Sequence, residues 1–231
     1  PRRYDGTTLQ QLKFPKSPLE DDLTARLGHP DKWNPYDVWT VYTDRRGHKW
    51  FGTGTFGICR FDGRSLDWMF EPHLTEVEGG GWFGFRSIIE DRHGDYWFCN
   101  TQFRYGVEPH GVAGQEAGRL RYQRKAGIDL AGNAATDKYF YYQSITEDNN
   151  RDLWMAPYAG GVWRYDGKTV THYPMKHGDP PGEEITMFTI YKDNRGDLWV
   201  GTHEHGAWKF NGTAFEKFSP STVRTSEAAT R

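Results

Sequence analysis

Three features are scarce in this sequence, and each scarcity narrows the class of protein. Two cysteines in 231 residues, Cys59 and Cys99, cannot form a disulfide framework, and we interpret both as small buried side chains within strands. No apolar run approaches 18 residues, which argues against insertion into a membrane. The formal net charge is only −2 and no basic stretch is present, which argues against nucleic acid as a partner.

Aromatic residues and glycines are abundant instead. The chain has 10 tryptophans and 27 glycines, and aromatic residues make up 16% of it. Aromatic side chains favour strands, and glycine favours the tight turns between them. The composition therefore predicts an all-β protein with short strands.

A repeat organises almost the whole chain. An aspartate is followed six residues later by a tryptophan four times, at Asp44/Trp50, Asp91/Trp97, Asp148/Trp154 and Asp193/Trp199. Twelve residues after three of these tryptophans stands an Asp or Asn within an aromatic–Asp/Asn–Gly triplet, at Asp62, Asp166 and Asn211. A repeat length near 45 to 57 residues is typical of an array of small β units.

The last repeat shows what one unit contains. Its apolar pattern and turn residues predict four antiparallel strands at Thr186–Tyr191, Asp197–Thr202, Ala207–Phe210 and Ala214–Phe218. One such meander is too small to bury its own faces, so the units must stack around an axis as a β-propeller. The tryptophan of each second strand is then predicted to be a buried wedge between neighbouring blades.

The chain is predicted to be a single propeller domain, 1–231, with about four and a half blades. Residues 1–16 match only the last two strands of a blade, through Tyr4-Asp5-Gly6. This count fits either a five-bladed ring or a segment of a larger propeller. The remaining predicted units are four blades at 36–71, 85–125, 141–175 and 185–218, and a tail at 219–231.

Two irregularities interrupt the repeat. The step from Trp97 to Trp154 is the longest, and it predicts an insertion around 104–118 that delays the third strand of the second blade. The hairpin is then expected to resume at Arg119–Arg124. In the third blade Arg151 stands where the other turns have glycine, which predicts a slightly different turn.

The repeat resembles the two-component regulator propeller repeat. The matching pattern is D-x-x-G-x-x-W-x-G-T-x-x-x-G-x-x-[RK]-[FY]-[DN]-G, and it stands here as DRRGHKWFGTGTFGICRFDG and DNRGDLWVGTHEHGAWKFNG, with departures in DNNRDLWMAPYAGGVWRYDG. The resemblance implies a β-propeller of the kind found in the extracytoplasmic sensing part of bacterial hybrid histidine kinases, often for glycans, and in secreted proteins. It therefore implies a periplasmic or extracellular location and neighbouring propeller or signalling domains. A more distant similarity to the streptogramin lyase propeller implies elimination across an ester at a Mg²⁺-dependent site, but a shared scaffold does not transfer chemistry.

Strand order predicts which face of the propeller binds a ligand. The turns after the first and third strands are short and share one face, whereas insertions at 15–36, 71–86, 104–118 and 126–141 are assigned to the other. These loops are rich in aromatic and polar residues, a combination that suits sugar rings and their hydroxyls. The predicted ligand-binding residues are Trp33, Tyr36, Trp82, Phe85, Arg86, Arg104, Tyr105, Tyr142, Tyr158, His203, Glu204 and His205. The residues just before a first strand (Tyr36, Phe85, Arg86 and Tyr142) are expected to lie closest to the axis; the competing interpretation is that many of these aromatic residues only fill gaps between blades.

No catalytic residue and no resident cofactor is predicted. His203 and His205 could face the same side of an extended loop, but no third metal ligand is identifiable. Glu108 and His110 could pair, but no nucleophile accompanies them. The acidic side chains of residues 20–22 are interpreted as exposed to solvent, with weak Ca²⁺ or Mg²⁺ binding as the alternative. The predicted function is non-catalytic recognition of a small molecule or glycan; the alternatives are a lyase or hydrolase on the same face, and a protein–protein interaction scaffold.

Overall fold

The computed structural model describes residues 1–28, 34–69, 71, 74, 84–101, 103–108, 118–128, 141–177 and 183–220. The described chain is almost entirely β-structure, with one helix, α1, at Glu20–Leu27. No helix in these ranges combines the length and the apolar character needed to span a bilayer.

Four sheets of four antiparallel strands form the body of the molecule, and we number these blades I to IV. The strands of blades I and II, in chain order, are β3 (Val38–Thr43), β4 (Lys49–Thr53), β5 (Ile58–Phe61), β6 (Leu66–Met69), β7 (Ile88–Glu90), β8 (Tyr96–Phe98), β9 (Arg104–Val107) and β10 (Tyr122–Lys125). The strands of blades III and IV are β11 (Tyr142–Glu147), β12 (Leu153–Pro157), β13 (Val162–Tyr165), β14 (Val170–Tyr173), β17 (Met187–Lys192), β18 (Leu198–Thr202), β19 (Ala207–Phe210) and β20 (Phe215–Lys217). Two further hairpins are formed by β1 (Arg2–Tyr4) with β2 (Leu9–Gln11), and by β15 (Lys176–His177) with β16 (Glu183–Glu184).

The first strand of each blade lies next to the first strand of the following blade. Strand β3 contacts β7, β7 contacts β11, and β11 contacts β17, so these four strands surround the axis. A small hydroxyl residue four positions before each turn aspartate allows the close approach. The Ser87 hydroxyl accepts a hydrogen bond from Ile145 N (3.0 Å), and the Ser144 hydroxyl donates to Ile190 O (3.2 Å). The β-propeller prediction is confirmed.

The repeated tryptophans of the first three blades are wedges, as predicted. Trp50, Trp97 and Trp154 are at most 1% exposed. Trp50 lies 4.4 Å from Tyr96 of blade II, and Trp154 lies 4.9 Å from Phe210 of blade IV, measured between ring centroids. Trp199 of blade IV departs from the prediction, because it is only partly buried.

Hydrogen bonds explain why the turn aspartate and the tryptophan are always six residues apart. In every blade the turn aspartate accepts backbone N–H groups two and four residues ahead with Oδ1, and the indole N–H of the tryptophan with Oδ2. The four indole bonds measure 2.9 Å at Asp44, Asp91 and Asp148, and 3.0 Å at Asp193. One carboxylate thus closes the turn and fixes the orientation of the wedge, which requires both residues at this spacing.

The turn of blade III keeps the shape of the other turns, and the prediction that it differs is wrong. Arg151 adopts a φ of 68°, within the left-handed region that Gly47, Gly94 and Gly196 occupy at 82° to 90°. Its N–H donates to Asp148 O at 3.2 Å, as the glycine N–H groups do in the other turns. The Asp148 carboxylate bonds therefore hold a non-glycine residue in a conformation that costs about 1–2 kcal/mol.

The insertion of blade II lies after its third strand, not before it. Strand β9 begins at Arg104 and pairs with β8 in the expected register, with Trp97 opposite Arg104. The extra residues therefore separate β9 from β10, on the face that carries the turn aspartates. Beyond the insertion, Gly118 O and the Leu120 N–H bond the backbone of Trp68, so this segment adds to the outer edge of blade I.

Blade I and blade IV each expose a residue whose equivalents in other blades are covered. Val41 is 59% exposed, whereas its equivalents Ile88, Ile145 and Ile190 are 3% to 7% exposed. In the described chain β1, β2 and α1 precede blade I, and they leave Val41 exposed. At the other end Tyr191 of blade IV is 58% exposed, whereas its equivalent Tyr42 accepts a hydrogen bond from Glu90 N of the next blade.

One blade lacks an ion pair that the others have, and this gives a testable prediction. Four residues after the turn aspartate, three blades carry an aspartate that pairs with a cation on the third strand: Asp95 with Arg104 (3.7 Å), Asp152 with Arg164 (2.9 Å) and Asp197 with Lys209 (2.7 Å). Blade I has His48 there, and its buried Arg60 keeps two side-chain nitrogens, Nε and Nη2, without a hydrogen-bond acceptor.

We expect His48→Asp to raise the free energy of unfolding by about 1 kcal/mol. A hydrogen bond to a charged partner contributes about 1.5–3 kcal/mol, and the lost bond from His48 to Asp44 offsets about 0.5–1.5 kcal/mol of it. Urea unfolding measures the change. His48→Ala is the matched control and is expected to be less stable than the native protein. Equal stability of the two variants would contradict the pairing of the introduced carboxylate with Arg60.

Candidate ligand-binding site at the axis

A β-bulge at the start of three of the four first strands turns one side chain out of the regular alternation. The register shifts between Val38 and Thr40 in β3, between Tyr142 and Ser144 in β11, and between Met187 and Thr189 in β17. A bulge bends the strand locally and re-aims the extra side chain. The bulged residues are Trp39, Gln143 and Phe188, each five positions before its turn aspartate.

Arg86 occupies the corresponding position of blade II, five residues before Asp91. Its guanidinium carbon lies 4.8 Å from the ring centroid of Trp39 and 5.5 Å from that of Phe188. These residues come from blades I, II and IV, so the bulge positions of different blades converge at the axis. We call Trp39, Arg86, Gln143 and Phe188 the axial cluster.

The backbone supports Trp39 and Arg86 closely. The Trp39 indole lies flat against Gly84, where an added Cβ would stand 2.2 Å from Cε3 of the ring, so only glycine fits. The N–H of Arg86 donates to Cys99 Sγ at 3.2 Å, and burial raises the pKa of this thiol to about 11. Cys59 and Cys99 are both buried, as predicted.

Tyr158 and His203 extend the axial cluster outward. His203 lies 5.2 Å from Phe188 and 5.6 Å from Tyr158 between ring centroids, and both histidine and tyrosine follow second strands, β18 and β12. Tyr158 and Phe188 are 52% and 50% exposed, so their rings are available to a ligand. Among the predicted residues, Arg86, Tyr158 and His203 are therefore brought together.

A partly buried tyrosine supplies a hydrogen bond beside the axial cluster. The Tyr141 hydroxyl donates to Gln143 Oε1 at 3.0 Å. Burial raises the pKa of Tyr141 above its ordinary value, and the opposing effect of nearby Arg86 is smaller. The phenol therefore stays protonated at neutral pH and orients the amide of Gln143.

Three predicted ligand-binding residues belong to the core instead. Phe85, Tyr105 and Tyr142 are 0% exposed, and the Tyr142 hydroxyl donates to Phe98 O at 2.8 Å. They have no surface to offer a ligand, so the competing gap-filling interpretation applies to them. Phe85 and Tyr142 immediately precede Arg86 and Gln143; both rings are buried, whereas Arg86 is exposed and Gln143 is 8% exposed.

The prediction that Arg104 lies on the ligand-binding face is wrong. Arg104 lies in β9, donates to Ala126 O at 3.0 Å and faces Asp95 at 3.7 Å. With the turn residues Asp91 and Arg92 it lines a cavity of about 140 Å³ on the opposite face from the axial cluster. The error follows from the misplaced insertion of blade II.

Tyr36 holds the helix rather than a ligand. Its hydroxyl accepts from Ser17 N at 2.9 Å and donates to the Glu20 carboxylate in the first turn of α1. Burial and the hydrogen bond to Glu20 raise the pKa of Tyr36 to about 12. The acidic residues 21 and 22 pair with Lys16 (2.6 Å) and Arg26 (2.9 Å), so the run 20–22 is occupied by protein partners.

The remaining predicted residues add little to the site. Glu204 is exposed, and His205 is partly buried, with its N–H bonded to Thr202 Oγ1 at 2.9 Å. Within the described residues no three His, Cys, Asp or Glu side chains are close enough to hold a metal ion. Trp33, Trp82 and His110 lie outside the described residues.

A larger groove, of about 910 Å³, lies between the rims of blades III and IV on the face of the turn aspartates. Two of its three cations, Arg164 and Lys209, are paired with aspartates, and its rings Trp154 and Phe210 pack against each other in the blade interface. The groove therefore has few unpaired groups, whereas the axial cluster combines exposed rings, an amide and a cation. We place the candidate site at the axial cluster.

Comparison with known proteins agrees with this architecture. Residues 179–204 match the family model described as two component regulator propeller, which confirms the repeat. Comparison with curated proteins gives no match. One similar solved structure is the extracellular domain of BT4673 from B. thetaiotaomicron, with a TM-score of 0.52 and 17% identity over 88% of this chain and 23% of that one. A catalytically inactive virginiamycin B lyase from Staphylococcus aureus with quinupristin has a TM-score of 0.53 and 17% identity over 84% of this chain and 58% of that one. PorZ from Porphyromonas gingivalis has a TM-score of 0.53 and 15% identity over 86% of this chain and 30% of that one. At these identities the likeness shows the fold alone, and the chain spans less than two thirds of each of these proteins.

Proposed function

This chain carries the two-component regulator propeller repeat, and we propose that it is a non-catalytic, sensor-type propeller that binds a glycan at the axial cluster. The observation that carries the proposal is the contrast between constant and variable positions of the repeat. The turn aspartate and the wedge tryptophan recur in all four blades, whereas the bulge position carries Trp39, Arg86, Gln143 and Phe188. A stable scaffold with different side chains at one converging position is what ligand recognition requires.

The chemistry of the cluster suits a sugar. Exposed rings at Phe188 and Tyr158 can pack against the C–H faces of a pyranose, and the exposed His203 offers a hydrogen bond to a hydroxyl group. The described residues place no nucleophile and base side by side at this position. Recognition without turnover therefore fits the side chains better than catalysis.

The proposed setting is the outside of a bacterial cell or its periplasm. The similar BT4673 domain is the extracellular domain of a putative one component system, and the resemblance to the two-component regulator propeller repeat implies neighbouring signalling domains. In such an arrangement ligand binding at the axis would bias the packing of a neighbouring domain.

Binding to a glycan array, followed by calorimetry with the best ligand, tests the proposal. We expect Phe188→Ala to weaken binding at least tenfold, about 1.4 kcal/mol, because one exposed stacking surface is lost. Tyr191→Ala is the matched control, since Tyr191 is 58% exposed and lies on the same strand, towards the end opposite to Phe188. It is expected to bind with native affinity.

Three outcomes would contradict glycan recognition at this site. Absence of binding across the array would remove the proposal, and equal losses for the two variants would move the site away from the axis. Turnover of a bound ester or glycoside that depends on added Mg²⁺ would favour the lyase or hydrolase alternative.

A further inference from the structure

Arg86 lacks an acidic partner within the described residues and is exposed, unlike Arg60, which also lacks an ion pair but is only 2% exposed. Within the described residues Arg45, Arg92 and Arg164 each lie within 4.0 Å of a carboxylate, as do Arg104 and Arg124. Arg86 is exposed, and its recorded neighbours in the described chain are the rings of Trp39 and Phe188, together with Tyr141. Its positive charge is therefore not neutralised by the described protein.

The two rings prepare this charge for an anion. An aromatic ring within about 6 Å of a guanidinium is attracted to it and excludes water from the covered side. The guanidinium is planar, and its N–H groups form a fork that matches the two oxygens of a carboxylate or sulfate. A guanidinium restrained by Trp39 and Phe188 loses less conformational freedom when such a group binds.

We propose that the axial cluster selects an anionic saccharide, whose carboxylate or sulfate group binds Arg86 while its sugar ring packs against Phe188 and Tyr158. This inference rests on the proposed function and adds the ligand class and the residue that determines it. Arg86 is thus assigned as the specificity-determining residue, and Phe188 and Tyr158 as the residues that supply affinity for any sugar.

Calorimetry with matched oligosaccharides tests the inference. The probes are an oligogalacturonate, the same oligosaccharide with its carboxyl groups reduced to alcohols, and a sulfated galactan of equal length. We expect the native protein to bind one of the two acidic probes at least tenfold more tightly than the neutral one. In Arg86→Gln the ratio of acidic to neutral affinity should fall towards one, and Arg86→Lys should retain part of it because charge remains without the planar fork.

Salt dependence and a charge control complete the design. Affinity for the acidic probe should fall as salt rises from about 50 mM to about 500 mM in the native protein and much less in Arg86→Gln. Arg195→Gln removes an exposed arginine from the turn of blade IV, on the opposite face, and should keep the native preference. Far-UV circular dichroism of each variant confirms that the fold is intact.

The outcomes separate the two proposals. Binding of the neutral probe as tight as that of both acidic probes overturns the anionic preference and leaves glycan recognition standing. A preference for the carboxylate or for the sulfate probe identifies the anion. Failure of all three probes to bind overturns the anionic inference, and the wider glycan array then decides whether recognition of any sugar survives.

Discussion

Replacing Trp154 with alanine is expected to lower the free energy of unfolding by about 3–5 kcal/mol, the range for a large aromatic removed from a packed core. Trp154 is 1% exposed, and its ring contacts Tyr173 at 5.1 Å and Phe210 at 4.9 Å between centroids. The cavity would open between blades III and IV, where side chains of two sheets meet. Urea unfolding followed by tryptophan fluorescence and circular dichroism measures the loss.

Trp199→Ala is the matched control for this prediction. Trp199 has the same place in its repeat and the same bond to an aspartate, but it is only partly buried and its recorded ring partners, Phe218 and Lys209, belong to its own blade. We expect Trp199→Ala to lower the free energy of unfolding by about 1–2 kcal/mol, because the smaller buried part of this side chain exposes less apolar area to water. Similar losses for Trp154→Ala and Trp199→Ala would show that the indoles do not act as wedges between blades.

Replacing Asp44 with alanine is expected to lower the free energy of unfolding by about 3–5 kcal/mol. Its buried carboxylate accepts hydrogen bonds from Arg46 N (3.0 Å), His48 N (2.9 Å), Trp50 Nε1 (2.9 Å) and Tyr96 Oη (2.8 Å). Each buried donor left without an acceptor costs about 1–3 kcal/mol, and losses within one network do not add fully. The same unfolding measurement applies.

Asp193→Ala serves as the comparison, because Asp193 makes the equivalent turn and indole bonds in less buried surroundings. Water can replace part of the lost hydrogen bonds at this less buried site, so we expect Asp193→Ala to lower the free energy of unfolding by about 1–2 kcal/mol. A cost at Asp44 no larger than at Asp193 would contradict the role assigned to the buried network around Tyr96.

The contribution of Asp44 should also depend on pH. Burial by itself would raise the pKa of Asp44, but hydrogen bonds from Trp50, Tyr96 and His48 outweigh burial and hold the pKa below its ordinary value of 3.8. A carboxyl whose pKa is lower in the folded protein stabilises it above the unfolded value, and loses that contribution as pH falls through the folded value. The difference in stability between native protein and Asp44→Ala should therefore be constant near neutrality and shrink below about pH 4.

Several features of the fold are predictable from the sequence because they are local and repeated. The Asp/Trp spacing, the turn signals and the alternating strands of residues 185–218 predict the blade, and the structure places four strands there. Three of four wedges are buried as predicted. The exception, Trp199, depends on what covers blade IV, and its own repeat contains no information about that neighbour.

The candidate site is predictable only in part. The alternation of a strand gives no sign of a bulge, so the sequence does not single out Trp39 and Phe188 and instead favours Phe85 and Tyr142, which the structure buries. A signal is present, because the position five residues before each turn aspartate varies in chemistry from blade to blade within an otherwise regular repeat. It becomes meaningful only once the direction of the side chain is known.

The sequence by itself determined that this chain builds stacked four-stranded blades, since each Asp–Trp pair is closed by hydrogen bonds within six residues and recurs at a fixed spacing. Only the tertiary structure decided which aromatic residues remain open to a ligand. Arg86 meets Trp39 and Phe188 because the first strands of the blades surround one axis, and residues about 50 to 100 positions apart in the chain become neighbours only when the blades are packed together.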